Sequence, residues 1–176
     1  MKYIFYTMLS LFVLASCKTS KNYLSRSDSD NTIFDAVKTL KKYSTDTAAL
    51  NALPVLYNTA LQRNLRKINS YSSSRELSRW DKIIDGYNTL QEMHDAIIEV
   101  DAASRLVTPV DYRQTIYDLQ QQAAADYYTT AIDFLNRPGR DDAKKAYNYF
   151  KKADNWVPGY EDAKIKMDEA YDNAIV

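Results

Sequence analysis

Residues 143–158 decide the fold, and they read A-K-K-A-Y-N-Y-F-K-K-A-D-N-W-V-P. Ala146, Phe150 and Ala153 follow one another at spacings of four and three residues, which places their side chains on one face of an α-helix. Pro158 stands five residues further on, where its ring cannot continue the helix. The stretch therefore predicts an amphipathic helix whose small and aromatic core positions pack closely against a neighbouring helix.

This order of Ala, Phe, Ala and Pro resembles the second helix of a tetratricopeptide repeat. In that family the alanines let two helices touch, the aromatic ring fills the gap, and the proline ends the unit. The resemblance implies that Tyr128, Ala131 and Leu135 belong to the first helix of the repeat. Two features depart from the family pattern. The turn over 136–142 is longer than the pattern allows. The positions one repeat period of about 34 residues before these four are hydrophobic but do not have the same residue types.

Apolar residues at spacings of three and four continue through the rest of the body and predict further helices. The expected helices cover about 31–43, 47–70, 75–103, 110–136, 142–156 and 160–174. Three glycines and four prolines are too few for the turns of a β-sandwich or β-barrel. We therefore expect an all-α fold of about six helices stacked as antiparallel hairpins, tetratricopeptide-repeat-like, with a closed helical bundle as the alternative.

Three residues inside the predicted helices call for a structural reason. Pro54 predicts a kink or a restart of its helix. Gly86 lies within a helix, where glycine is unfavourable unless a neighbouring element packs closely against it. His94, the only histidine, lies on an apolar stripe; it is interpreted as a packed side chain at a helix contact rather than a ligand.

Caps and double stripes refine the arrangement of the helices. The stretch Ser44-Thr45-Asp46 is expected to end the first helix and cap the second, and Asp141 or Asp142 is expected to cap the fifth. The helix over 110–136 carries two apolar stripes and three consecutive alanines, which predicts neighbours on both sides and a place in the middle of the stack.

The first seventeen residues, MKYIFYTMLSLFVLASC, have the form of a secretory signal. A basic Lys2 precedes an apolar run that is shorter than the about 20 residues a transmembrane helix needs. The end of the run, Leu14-Ala15-Ser16-Cys17, resembles the lipobox of bacterial lipoproteins. That resemblance implies that residues 1–16 are removed as a signal peptide and that Cys17 is lipidated. The lipid consists of a diacylglycerol and an acyl chain such as palmitate.

The same resemblance implies a place for the mature protein. Two or three acyl chains anchor a protein stably in a membrane. Lys18, which occupies the position where an Asp retains related lipoproteins in the inner membrane, favours the outer membrane facing the periplasm, with the cell surface as the alternative. The polar residues 17–30 then form the lipidated cysteine and a flexible linker, and residues 31–176 form a single helical domain.

The remaining sequence points away from catalysis. It contains no glycine-rich phosphate loop, no nucleophile elbow and no paired metal-binding histidines. The 23 basic and 23 acidic residues balance, which argues against a nucleic-acid partner. We expect no enzyme activity, no cofactor and no metal site.

The fifteen tyrosines are the one compositional excess, and tyrosine is enriched at interfaces. The candidate binding residues Tyr112, Tyr117, Tyr127 and Tyr128 lie on the helix that would line the concave face of a repeat; core packing is the other interpretation of each. The expected function is that of a membrane-anchored scaffold or accessory subunit that binds another envelope protein. The alternative is a surface lipoprotein that binds a glycan or a peptide.

Overall fold

The computed structural model describes residues 22–175, and all regular structure in that range is helical. A 3-10 turn, Leu24–Arg26, precedes seven α-helices. The helices are α1 Asn31–Lys42, α2 Thr47–Ser72, α3 Arg79–Ile98, α4 Asp101–Ser104, α5 Arg113–Leu135, α6 Arg140–Trp156 and α7 Ala163–Ile175. The all-α prediction is confirmed.

One predicted helix is two in the structure. The expected helix over 75–103 divides into α3 and the short α4 at Val100, whose backbone is extended (φ −118°, ψ 108°). The side chain of Val100 is buried in the main core. The apolar spacing runs on across this break, because α4 presents Ala103 to the same core as α3.

The helices pack in two ways along the chain. The first three contact one another in pairs and enclose a core that α4 closes at one end. Further along the chain α6 packs on α5 and α7 packs on α6, so α5, α6 and α7 form consecutive hairpins. The largest completely buried side chains of the first core are Ile33, Leu40, Leu53, Leu56, Ile84, Leu90, Met93 and Ile97.

The α5 helix lies between α3 on one side and α6 on the other, as its two apolar stripes predict. Ala123 and Tyr127 join the first core, whereas Ala131 joins a second, smaller core with α6 and α7. Phe150 is completely buried at the centre of that second core. Alanines surround it, so the helices approach one another closely there.

The close packing of α3 on α2 explains why position 86 is a glycine. A Cβ atom at this position would lie 2.6 Å from Cγ1 of Ile68 and 3.0 Å from its Cδ1. Such a separation is shorter than van der Waals contact, so only glycine fits without a shift of the neighbour. Pro54, by contrast, does not divide its helix: α2 is assigned as one element through it, and no restart occurs.

Of the two predicted helix caps, the one that precedes α2 is present and the one that precedes α6 is not. Asp46 accepts a hydrogen bond from the backbone N–H of Ala49 at 2.9 Å, as expected. The α6 helix begins earlier than predicted, because Gly139 stands before it with a φ of 137° that favours glycine. Asp141 and Asp142 consequently lie in the first turn, where their charge still faces the positive end of the helix.

Residues 22–30, the described part of the segment predicted as a flexible linker, contact the helical domain. The ring of Tyr23 is buried, and its hydroxyl donates a hydrogen bond to Thr39 Oγ1 at 2.8 Å. Arg63 on α2 forms an ion pair with Asp30 and donates to the carbonyl of Ser27. The polar composition of the segment concealed this single aromatic anchor.

Candidate functional site

Tyr127 and Tyr128, neighbours on α5, project toward different parts of the fold. Tyr127 is 3% exposed, packs against the ring of Tyr149 and donates to Asp81 at 3.4 Å. Burial, together with the nearby Asp81 carboxylate, raises the pKa of Tyr127 to about 12. Its hydroxyl therefore stays protonated and serves as a hydrogen-bond donor that links α5 to α3.

Tyr128 links α5 to the last two helices. Its hydroxyl donates to Asp162, which precedes α7, and its ring packs edge-on against Phe150 and Tyr160. The hydrogen bond to Asp162, followed by burial, raises the pKa of Tyr128 to about 12. These contacts account for Tyr128 as a packing residue of the hairpin stack.

Tyr112 and Tyr117 lie near the beginning of α5. Tyr112 is half-buried against the ring of Tyr87, with ring centroids 5.2 Å apart, and burial raises its pKa. Tyr117 is 56% exposed. The structure therefore does not gather the four candidate tyrosines on one open face, and Tyr117 is the member most accessible to a partner. A binding role for them stays a prediction.

Cys17, the predicted lipidation site, lies outside the described residues, as does the rest of the lipobox. Within residues 22–175 no helix is both long enough and apolar enough to cross a bilayer.

His94 belongs to a polar network where α3 meets the start of α5. Its Nδ1 lies 2.9 Å from Asp95 Oδ1, and we place the proton on Nδ1 because the carboxylate only accepts. Gln91 and Arg113 also donate to this oxygen, at 2.9 and 2.6 Å. The hydrogen bond from His94, with smaller contributions from Gln91 and Arg113, lowers the pKa of Asp95.

This network fits the interpretation of His94 as a packed residue. Its carboxylate partner, Asp95, directly follows it in the chain, and the side chains of Gln91 and Arg113 donate to the same carboxylate. Gln91 also accepts a hydrogen bond from the N–H of Tyr112 at 2.6 Å, which fixes the start of α5.

An open polar cleft of about 560 Å³ lies between the α2–α3 connection and α5. Asp126 on its floor accepts from Arg79 Nη2 at 2.6 Å and from Trp80 Nε1 at 3.0 Å. The Arg79 guanidinium also stacks on the Trp80 ring, 4.6 Å from its centroid. Arg75 on the rim is exposed, and no side-chain partner for it occurs in the described chain. The other polar residues of the cleft are Ser72, Ser73, Ser74, Thr129 and Thr130.

A second groove, of about 500 Å³, lies between α6 and α7. Its apolar lining is Tyr147, Tyr171, Ala174 and Ile175, and its polar lining is Arg140, Lys144 and Asn148. Tyr147 and Tyr171 form its walls with ring centroids 6.3 Å apart, and Ile175 continues the surface one helical turn beyond Tyr171. Tyr171 is 56% exposed and Ile175 58% exposed. The groove therefore presents an aromatic and aliphatic surface to solvent.

This groove was not predicted from the sequence, although the pattern of apolar residues on α7 indicates it. Tyr171 and Ile175 stand four residues apart, outside the apolar stripe that packs α7 onto α6. An apolar pair off the buried stripe indicates a second contact face of a helix.

The described residues define a class rather than a reaction: a small all-α protein with an open polar cleft and an exposed apolar groove. No group of three or more potential metal ligands occurs within residues 22–175. Comparison of the chain with protein-family profiles, with curated proteins and with solved structures gave no match.

Proposed function

We propose that this protein is a lipid-anchored helical scaffold of the bacterial cell envelope, which binds another envelope protein and catalyses no reaction of its own. Membrane lipid attaches through acylated Cys17. The expected localisation is the outer membrane, facing the periplasm, with the cell surface as the alternative. The observation that carries the proposal is the exposed apolar groove formed by Tyr147, Tyr171 and Ile175 on the last two helices.

The position of the groove within the stack explains why it suits a protein partner. In repeat proteins the outermost helix turns a polar face to solvent, because no further helix covers it. Within the described residues α7 is the last helix of the stack, and it exposes Tyr171 and Ile175. A helix of a partner protein that packs along the groove would bury these side chains as a further helix of a stack does.

Site-specific photo-crosslinking in cells tests this proposal. A photoreactive phenylalanine analogue replaces Tyr171, and a second variant carries it at the competing candidate Tyr117, which is equally exposed at 56%. The control carries the analogue at Val55 on α2, which is 50% exposed. We expect one reproducible crosslinked protein from position 171 and none from position 117. A crosslink from position 117 alone would move the interface to the beginning of α5, and no crosslink from either would count against a scaffold.

The lipid anchor has its own test. Globomycin, which inhibits the lipoprotein signal peptidase, should cause the precursor to accumulate, and Cys17→Ser should abolish incorporation of labelled palmitate. An unchanged precursor level with globomycin would overturn the assignment of the lipobox.

The alternative function, binding of a glycan or peptide, draws on the polar cleft beside Arg75 and Asp126. Its hydroxyl groups and the exposed guanidinium suit a polar ligand. Binding of an envelope glycan or peptide that Arg75→Ala weakens, with helical content unchanged, would favour this function over the scaffold.

A further inference from the structure

One end of the helical domain exposes aliphatic side chains on neighbouring segments. We call it the proximal end, formed by the α1–α2 turn at 43–46 and by residues 98–112. The contacts place these segments together. Lys41 near the end of α1 pairs with Glu99 at 2.6 Å. Ser44, Thr45 and Leu106 line one shallow cleft.

Three residues of this end are half exposed: Ile98 at 47%, Leu106 at 40% and Val110 at 50%. Single exposed aliphatic residues are ordinary on protein surfaces. These three, however, lie within thirteen positions of the chain, on a connection fixed to the domain. The backbone N–H of Val110 donates to the hydroxyl of Tyr57 at 3.2 Å, which holds the connection against α2.

The charges of the proximal end nearly balance. With the last two residues of α1 included, the three bases Lys41, Lys42 and Arg105 stand against the four acids Asp46, Glu99, Asp101 and Asp111, a net charge of −1. Lys41 is paired with Glu99, and Arg105 lines the same cleft as Asp101. An attraction to anionic lipid would need several unpaired basic residues. The surface therefore suits contact with uncharged apolar or interfacial material.

The path of the chain indicates what that material is. Tyr23 is bound to Thr39, one turn before the end of α1. Cys17 lies six positions before Tyr23, and an extended chain of that length spans about 20 Å at most. The opposite end of the domain lies further from Tyr23, because α3 alone, from Arg79 to Ile98, is about 28 Å long at 1.5 Å per residue.

We propose that the proximal end is the membrane-facing surface of the protein, and that Ile98, Leu106 and Val110 insert into the headgroup region of the bilayer that holds the acyl chains of Cys17. The occupant is the phospholipid surface itself. This inference rests on the proposed lipid anchor. Short tethering supplies a high local concentration of bilayer, so a small apolar surface is enough to fix the orientation of the domain.

Depth-dependent fluorescence quenching tests the orientation. The full chain is expressed with its signal sequence, purified in the lipidated form and reconstituted into vesicles of zwitterionic phosphatidylcholine. Because lipidation blocks Cys17, Leu106→Cys or Val110→Cys provides a single thiol for an environment-sensitive dye. Ile165→Cys on α7, where the side chain is 70% exposed, is the control.

We expect the dyes at positions 106 and 110 to shift to shorter emission wavelength and to lose intensity when lipids carrying a quencher near the headgroup are present. The dye at position 165 should do neither. Equal quenching at all three positions, or none at 106 and 110, overturns the membrane-facing surface. Helical circular dichroism of each variant establishes that it is folded.

Mass spectrometry of the same samples separates this inference from the proposed function. A lipidated Cys17 peptide together with unquenched dyes at 106 and 110 would refute the orientation and leave the anchor intact. An unmodified Cys17 peptide would instead refute the anchor.

Discussion

Replacement of Gly86 by alanine tests the close approach of α2 and α3, on which the first core depends. The new Cβ would lie 2.6 Å from Cγ1 of Ile68 and 3.0 Å from Cδ1. The nearer atom is held by the Ile68 branch point and cannot swing away as the end of a long side chain does. The helices must therefore separate slightly, or Ile68 must adopt a poorer rotamer.

Two effects of opposite sign determine the magnitude. An alanine in a helix interior is more favourable than glycine by about 1 kcal/mol. Overpacking of a filled core costs about 1–3 kcal/mol. We therefore expect Gly86→Ala to lower the free energy of unfolding by up to about 2 kcal/mol, which corresponds to a loss of up to about 8 °C in Tm at 2–4 °C per kcal/mol.

The control reverses the sign of the effect. Ile68→Ala alone should cost about 2–5 kcal/mol because it leaves a cavity. In that background Gly86→Ala no longer meets Cγ1 and should stabilise by about 1 kcal/mol through helix propensity alone. Chemical denaturation followed by circular dichroism at the helical band measures the three variants and the unchanged protein. If Gly86→Ala stabilises the otherwise unchanged protein, the helices do not approach as closely as described, and the reasoning fails.

Two further predictions concern polar contacts between helices. Asp126→Ala leaves the Arg79 guanidinium and the Trp80 N–H without their acceptor, so the free energy of unfolding should fall by about 1–3 kcal/mol. The control is Lys41→Ala, which removes an ion pair whose side chains are 61% and 67% exposed. It should lower the free energy of unfolding by less than about 1 kcal/mol. Equal losses would contradict the coupling through Asp126. Tyr128 has a pKa of about 12 in the folded protein and an ordinary value of 10.0, so the stability it contributes is complete below pH 10 and is lost as the pH rises to 12. Denaturation across that range should show a smaller decline in Tyr128→Phe, and an identical decline would refute the assignment of the shift to Tyr128.

The sequence predicted those features that repeat along a helix. Spacings of three and four located the main helices, and the alanines around Phe150 marked a close helix contact. The two-sided pattern of α5 placed it between neighbours. These properties are local, because the side chains that report them lie on one element and recur with its period.

Contacts between distant parts of the chain were not predictable in this way. Asp126 meets Arg79 across 47 positions, and Tyr23 meets Thr39 across 16. Neither contact produces a periodic pattern in the sequence, and Tyr23 lies in a segment whose composition is that of a linker. The break at Val100 also escaped prediction, because buried side chains on both sides of it keep the apolar spacing intact.

The two proposed surfaces constrain each other through the length of α5. Arg113 begins α5 at the proximal end, and Leu135 ends it beside the start of α6, about 33 Å away at 1.5 Å per residue. Arg140 at that start donates to the carbonyl of Ala174, so the groove of Tyr147 and Tyr171 lies at the far end of the molecule. If the proximal end rests on the bilayer, a partner in the groove must extend to about that height above the headgroups. A protein confined to the bilayer cannot reach it, so the partner expected from crosslinking at Tyr171 has a domain outside the membrane.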